Sequence, residues 1–235
     1  MRDLKLDLHV HSVYSDDSSV TLEDIIQFSK KKDLDGVAVC DHDSLKGYEK
    51  LKPKAQENNL IVIPAMEIKT NIGEVIGLFI EREIDTSNNE FFNILNQIKQ
   101  QNGLVVIPHP YDFLRSNHLK MEVLTEDIIA KYIDGIEVIN SRILFSKCIK
   151  KARKFKNDHN LFETGGSDAH HKKEIGNGYT LIQNIEDKSL QTIKQKLMNK
   201  YSKSMGTKSS PYFHFVSIFN KILKGTIPVL DISLN

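Results

Sequence analysis

The stretch DLHVHSVYSDDS, residues 7–18, places His9 and His11 one residue apart at the end of an apolar run. Alternate residues of a β-strand point to the same side of a sheet, so both imidazoles would face one position. Imidazole is a common metal ligand, and Asp16 follows closely as a further candidate. The stretch therefore indicates a metal site at the end of a strand, although an H-x-H pair alone also arises by chance.

Short runs rich in valine and isoleucine alternate along the chain with amphipathic stretches of helical length. This alternation is typical of β/α units around a parallel sheet, and 235 residues is a usual length for one barrel domain. We therefore predict an α/β fold. The predicted strands are 4–10, 36–40, 60–65, 74–80, 104–108, 135–140, 161–166 and 179–182, and the predicted helices are 21–32, 45–58, 88–102, 125–131, 143–158 and 187–199.

The C-terminal part of the chain has a different composition. YSKSMGTKSSP (201–211) is polar and contains glycine and proline, which predicts a linker or loop. FVSIFNKIL (215–223) has an apolar helical face, and IPVLDI (227–232) reads as a strand. We predict a barrel over residues 1–200 and an extension over 201–235 that packs on the same domain.

Composition excludes several classes of protein. The formal net charge of +1 gives no overall case for a nucleic-acid scaffold. The sequence shows neither a signal-peptide pattern nor an apolar run long enough to span a bilayer, so we expect a cytoplasmic protein without a membrane partner. Cys40 and Cys148 lie in apolar or helical stretches and read as buried thiols, not as a disulfide or a thiolate zinc site.

Polar residues recur at one kind of place, directly after an apolar strand. In a parallel β/α barrel these strand ends meet at one face, where active sites are found. The candidates at these ends are His9, His11, Asp41, His42, Asp43, Glu67, His109, Asn140, Asp168 and His170.

Each candidate also has a structural interpretation. Asp43 and Asp168 could cap helices, Glu67 could pair with Lys69, and His109 between two prolines could be structural. The whole set at strand ends favours a shared metal site. Imidazole and carboxylate ligands without thiolates suit manganese, iron or zinc, and about nine candidate ligands exceed the four to six that one ion accepts.

Taken together, DLHVHSVYSDDS, CDHDS (40–44), PAMEI (64–68), HP (109–110) and GGSDAH (165–170) resemble the motifs of the PHP family, named for polymerase and histidinol phosphatase. The resemblance covers most of residues 3–183. It implies a distorted (β/α)7 TIM-like barrel with a trinuclear metal centre that hydrolyses phosphoesters.

The resemblance also implies a ligand set. His9, His11, Glu67 and Asp168 would hold a first ion, and Glu67 would bridge to a second ion that His109 also binds. Glu74 stands where the family usually has a histidine, and would favour a harder ion there; it could equally be an exposed residue at the start of a strand. The third ion would be held by Asp16, His42 and His170.

This set predicts hydrolysis by a metal-activated hydroxide, with Glu67 and Asp168 acting through the two or three divalent ions (manganese, iron or zinc) that they bind. Asn140 and Arg142 are the candidate substrate-binding residues, because an arginine in the loop after a strand can grip phosphate. Arg142 could also be an ordinary residue at the start of a helix. Arg115 and Lys69 are further candidates.

The expected substrate is a small phosphorylated molecule: a phosphomonoester, a nucleoside bisphosphate or the end of a short oligonucleotide. The alternatives are a histidinol-phosphate phosphatase, an amidohydrolase-type metal hydrolase, and a non-catalytic module of the same fold. We assign no oligomeric state from the sequence.

Overall fold

The computed structural model describes residues 2–223, in which strands and helices alternate. The strands are β1 (Arg2–Val10), β2 (Gly36–Val39), β3 (Ile61–Thr70), β4 (Gly73–Leu78), β5 (Leu104–Ile107), β6 (Gly135–Asn140), β7 (Phe162–Gly166), β8 (Gly178–Ile185) and β9 (Ser202–Gly206). The helices are α1 (Leu22–Lys31), α2 (Lys46–Glu57), α3 (Phe91–Gln100), α4 (Glu126–Tyr132), α5 (Ser146–Asp158), α6 (Leu190–Met198) and α7 (Tyr212–Leu223).

These strands form one sheet in the order β7-β6-β5-β4-β3-β2-β1-β8-β9. Strands β1, β2 and β3 are parallel to one another, as are β5, β6 and β7. Strand β4 is antiparallel to both of its neighbours, β3 and β5. Since β3 and β4 form a hairpin, no helix separates them, and this is the main distortion of the β/α pattern.

The sheet curves until β1 meets the segment that follows β7. His11 N–H donates to the carbonyl of Ala169 at 3.1 Å, and Asp168 N–H donates to the carbonyl of His9 at 2.7 Å. A parallel bridge joins Val10 to Ala169 between these two bonds. The seven strands β1 to β7 therefore make a nearly closed barrel, which confirms the predicted distorted (β/α)7 fold.

Apolar residues on both sides of the sheet form the core. Leu4, Leu6 and Leu8 of β1 alternate into one buried cluster with residues of β3, β4 and β5. A second cluster packs α3 and α4 onto the sheet, and a third packs α1 and α2. Burial on both sides explains why these strands read as continuous apolar runs in the sequence.

Two predictions about elements need correction. The predicted linker over 201–211 contains strand β9, which pairs with β8 from Gly178–Gly206 to Ile182–Ser202. Its residues SKSMG are too polar to read as a strand, but Ser202 and Ser204 bond to Glu163 of β7. The predicted strand β3 is also too short, because the β3–β4 hairpin extends it to Thr70.

The C-terminal predictions are only partly covered by the structure. The helix predicted over 215–223 is present as α7, which begins at Tyr212. The predicted strand IPVLDI lies outside the described residues. No helix within residues 2–223 has the length and apolar character needed to cross a membrane.

Gly166, the last residue of β7, allows β7 to approach β1 closely. A Cβ atom at this position would lie 2.3 Å from the Cβ of His9 and 2.7 Å from Oε1 of Glu137. Any side chain here would push β1 and β6 away from β7. The second glycine of the GGSDAH motif is therefore required by packing around His9.

We expect Gly166→Ala to destabilise the protein by roughly 1–3 kcal/mol, the usual cost of overpacking a rigid core. The measurement is urea denaturation followed by circular dichroism. Gly77→Ala is the matched control, because its added Cβ would meet only side-chain carbons, those of Ile98 at 3.2 Å and of Ile80 at 3.4 Å. Equal stability of Gly166→Ala and wild type would contradict this account of the β1–β7 contact.

Candidate metal centre

The end of β1 directs both of its histidines into one buried cluster. The Nε2 atoms of His9 and His11 lie 3.1 Å apart, and both side chains are buried. The register of β1 against β2 shifts between Asp7 and Val10, so this end of the strand is irregular. The structure thus brings the side chains of His9 and His11 together, as their spacing in the sequence predicts.

Glu67 lies at the centre of the cluster. Continued pairing of β2 with β3 positions it, because Asp43 N–H donates to the Glu67 carbonyl at 3.0 Å and a bridge joins His42 to Glu67. Its Oε2 lies 3.3 Å from both His11 Nε2 and His42 Nδ1, and its Oε1 lies 2.9 Å from His109 Nε2. One carboxylate therefore contacts histidines from three different strand ends.

Glu74 reaches the same cluster because β4 runs antiparallel. The first residues of β4 lie beside the last residues of β3 and β5, to which β4 is antiparallel. The start of β4 is therefore at the same end of the barrel as His42, Glu67 and His109. Glu74 is buried, and its Oε2 lies 3.7 Å from His109 Nε2. The structure places it inside the cluster and not at the exposed position that the sequence left open.

The segment after β7 contributes Asp168 and His170. Asp168 Oδ1 lies 3.4 Å from His11 Nε2 and 3.7 Å from His9 Nε2. Its φ of 55° is in the left-handed region, which is uncommon for residues other than glycine and is often found at functional sites. The Asp168 N–H bond to the His9 carbonyl holds this conformation.

These side chains fit a divalent cation. In the first set, the Nε2 atoms of His9 and His11 lie 3.1 Å from each other, 3.3–3.5 Å from the oxygens of Glu67 and 3.4–3.7 Å from Asp168 Oδ1. A tetrahedral site with ligand distances of about 2.0–2.1 Å has edges of about 3.3–3.4 Å. Asp168 Oδ1 is also buried without a hydrogen-bond partner among the described residues. An acceptor in that position is suited to a cation.

Two neighbouring groups also bring potential ligand atoms together. His11, His42 and His170 form one, and His42, Glu67 and Glu74 form the other. In each group, one potential ligand atom per residue lies within 4.8 Å of the others. The cluster therefore has enough donor atoms for more than one ion.

Hydrogen bonds orient several histidines with Nε2 toward the cluster. His9 Nδ1 lies 3.0 Å from Glu137 Oε1, His11 Nδ1 lies 3.1 Å from Ser15 Oγ, and His170 Nδ1 lies 2.8 Å from the Asp168 carbonyl. In the neutral imidazole, an Nδ1–H that donates to such an oxygen leaves the lone pair of Nε2 free to bind a metal.

The carboxylates dominate the electrostatics of the cluster. Burial alone would lower the pKa of His9, but Glu137, Asp168 and Glu67 raise this pKa well above its usual value. Burial would raise the pKa of Glu67, but the neighbouring His9 and His109 hold it well below its usual range. Positive charge is thus favoured at the position where the ligand atoms meet.

Asp17, and not Asp16, contacts the histidines of the third predicted ligand group. Asp17 Oδ1 lies 3.1 Å from His170 Nε2 and 3.5 Å from His42 Nε2, whereas Asp16 is exposed. Against the effect of burial, the bond to Asp17 and the charge of Glu67 raise the pKa of His42 to about 9. The sequence offers two adjacent aspartates at this turn, and spacing alone did not distinguish them.

The buried Glu137 was not among the candidates from the sequence, and the buried Asp41, a candidate from its place after β2, has a supporting role. Glu137 is in mid-strand in β6, where it also accepts from His109 N–H at 2.8 Å. Asp41 accepts bonds from the Ser12 and Ser15 hydroxyls at 2.6 and 2.9 Å and so holds the loop after β1. The acidic residue within the apolar run GIEVIN was the available signal for Glu137.

A family model for the PHP domain matches residues 7–205. The chain belongs to the PHP family. It is 37% identical over 177 residues to an uncharacterized protein of Methanocaldococcus jannaschii, covering 75% of this chain and 69% of that protein. Family membership confirms the resemblance, and the histidine and carboxylate clusters fit a metal-dependent hydrolase.

Solved structures share the fold at low sequence identity. A two-domain protein of Bacteroides vulgatus, described as containing a predicted PHP-like metal-dependent phosphoesterase, has a TM-score of 0.74 and 19% identity, covering 93% of this chain and 70% of that one. An amidohydrolase of Chromobacterium violaceum, solved with bound sulfate and no metal, has a TM-score of 0.61 and 15% identity, covering 84% and 97%.

The histidine and carboxylate cluster opens into a pocket of about 550 Å3. Arg115 lines it and pairs with both Asp112 and Asp168. Arg142 also lines it. Asn140 Nδ2 donates to the same carboxylate, at 3.1 Å from Asp168 Oδ2. Among the side chains predicted to bind phosphate, Arg115 therefore directly contacts a predicted metal ligand, Asp168.

The two adjacent aspartates allow a matched test of the third ligand group. We expect Asp17→Asn to lower the metal content of the purified protein by about one ion per chain, because an amide is a weaker ligand than a carboxylate. Asp16→Asn should retain the wild-type content. Elemental analysis by mass spectrometry measures both variants, and the reverse pattern would restore Asp16 as the ligand.

Glu137→Gln should weaken metal binding roughly 10- to 100-fold, the usual effect of losing the carboxylate that orients a ligating histidine. Titration calorimetry with manganese or zinc measures the affinity. Glu163→Gln on the neighbouring strand is the control, because the Glu163 carboxylate accepts from Ser204 N–H of β9 and not from His9 Nδ1, whose partner is Glu137. Unchanged affinity in Glu137→Gln would reject the orienting role.

Proposed function

We propose that this protein hydrolyses phosphoesters with two or three divalent cations held by the histidine and carboxylate cluster. The observation that carries the proposal is the convergence of His9, His11, Glu67 and Asp168 on one position. This cluster adjoins a solvent-accessible pocket that also contains arginines. Metal ligands beside arginines suit an anionic substrate.

The proposed ligand sets are those that the family resemblance implies, with Asp17 in place of Asp16. His9, His11, Glu67 and Asp168 would hold the first ion. Glu67, Glu74 and His109 would hold the second, and His42, His170 and Asp17 the third. Manganese, iron and zinc all accept this mixture of nitrogen and oxygen donors.

Bound cations lower the pKa of water toward neutrality and stabilise charge on phosphoryl oxygens. Glu67 and Asp168 are catalytic through the cations they hold. Arg115 and Arg142 bind the phosphoryl group from the pocket walls, and Asn140 orients Asp168 through its side-chain amide. His9 is held by Glu137 in the tautomer that leaves its Nε2 unprotonated.

The substrate we propose is a phosphomonoester, a nucleoside bisphosphate or the end of a short oligonucleotide, in a cytoplasmic protein. Histidinol phosphate is an alternative substrate for the same chemistry. An amidohydrolase would need a lysine among its metal ligands. Lys69 lines the pocket but is exposed at its rim. A non-catalytic module would keep these buried carboxylates without using the cations that stabilise them.

Hydrolysis of p-nitrophenyl phosphate tests the proposal. After loading with manganese, iron or zinc, the wild type should hydrolyse the ester. His11→Ala should lose at least about a hundredfold in kcat/KM, because His11 Nε2 lies 3.3 Å from Glu67 Oε2 and 3.4 Å from Asp168 Oδ1, the carboxylates of the first ligand set. His159→Ala is the control, since His159 pairs with Glu126 near the end of α5.

Two results would count against the proposed chemistry. Full activity in His11→Ala would reject the metal centre as the catalyst. A loaded wild type that hydrolyses no phosphate ester, tested also on phosphorylated metabolites and short oligonucleotides, would favour the non-catalytic module.

A further inference from the structure

Helix α7 packs against the loops that surround the metal ligands. Asn220 Nδ2 donates to the carbonyl of Asp17 at 3.2 Å, which connects α7 to the loop after β1. The ring of Phe213 stacks on His171 with centroids 4.9 Å apart, which connects it to the loop after β7. A helix beyond the barrel strands thus forms part of the active face.

The same helix forms a wall of the pocket. His214, Ser217 and Ile218 are successive pocket-lining positions along α7. Arg115 and Leu114, from the loop after β5, line the same pocket. A substrate held at the cluster would therefore contact both this loop and α7.

Arg142 is a pocket arginine that α7 binds through two hydrogen bonds. Its Nη2 donates to Ser217 Oγ at 2.8 Å and to the Phe213 carbonyl at 3.1 Å. Its Nε lies 3.6 Å from Oε1 of the buried Glu174 and has no hydrogen-bond partner among the described residues. The guanidinium is 4% exposed, so these contacts determine where it points.

Ser217 is itself oriented by its helix. Its hydroxyl donates to the carbonyl of Phe213 at 3.2 Å, one turn earlier. This bond directs a lone pair of Oγ toward Nη2 of Arg142. A serine at this position therefore accepts from the guanidinium in a fixed geometry, whereas an alanine could not.

We propose that Ser217 of α7 is a positioning residue for Arg142, which it holds in the orientation that binds the substrate's phosphoryl group. Long arginine side chains lose considerable rotamer entropy on binding, and a guanidinium fixed beforehand avoids much of that cost. The inference rests on the proposed phosphoesterase function. It makes α7 a component of substrate binding.

The test is a comparison of KM and kcat for p-nitrophenyl phosphate with the metal-loaded full chain. Ser217→Ala should raise KM about five- to tenfold, with a much smaller change in kcat and the same metal content, since one bond to a charged group is lost. Ser217→Thr keeps the hydroxyl and should restore KM. Ser210→Ala, an exposed serine just before α7, is the control for general effects on the helix.

A double-mutant cycle separates positioning from helix stability. Arg142→Gln should raise KM, and adding Ser217→Ala to it should have no further effect, because Ser217 acts through Arg142. If Ser217→Ala raises KM equally in both backgrounds, or leaves KM unchanged in the wild-type background, the proposal is overturned.

Binding of inorganic phosphate keeps this test independent of turnover. Calorimetry on the metal-loaded protein should show the same loss of phosphate affinity in Ser217→Ala, the same recovery in Ser217→Thr, and no additional loss in the Arg142→Gln background. An inactive wild type that shows this pattern would refute the hydrolytic function and support the positioning role. An active wild type without the pattern would do the reverse.

Discussion

The burial of several carboxylates around a single imidazole is the constraint on which the rest of this structure depends. Glu67, Glu137 and Asp168 all lie within 3.7 Å of a ring nitrogen of His9, and all are almost fully buried. Burying one ion costs several kcal/mol unless it is compensated. The Arg115 guanidinium, the His109 N–H and the Asn140 amide compensate part of this charge, and imidazoles face the remainder. The fold must therefore keep these groups together, and the contact between β1 and β7 does so with two backbone hydrogen bonds beside His9 and Asp168.

Because the donors come from strand ends, most of the centre could be predicted from the sequence. Each strand predicted within residues 2–223 is present, and a residue that follows a parallel strand must lie at the carboxyl face of the barrel. Residues placed by this rule, such as His42, His109 and Asp168, lie in the cluster. The rule needs only the approximate end of a strand, so errors of a few residues in β3 did not displace Glu67.

The features that escaped prediction depend on geometry that periodicity does not encode. The choice between Asp16 and Asp17 depends on the conformation of a turn, where adjacent side chains point in different directions. Glu137 lies within a strand, and its role follows from the tertiary contact with His9. Strand β9 is polar and pairs only because β8 offers it a free edge. The position of Glu74 depends on the direction of β4. The sequence predicted a parallel pattern, whereas β4 is antiparallel to both of its neighbours.

The proposed metal ligands and the proposed substrate contacts come from different parts of this molecule. The ligands are attached to the barrel strands, whose backbone pairing fixes them within the core. The arginines lie on loops after β5 and β6, and α7 holds one of them from outside the barrel. Changes in these loops or in α7 would alter the shape and charge of the pocket without disturbing the pairing that positions the ligands. This separation explains physically how proteins with one fold and similar strand-end motifs can act on different substrates. Under the proposed function, Arg115, Arg142 and α7 would determine the substrate more than the metal-binding motifs do.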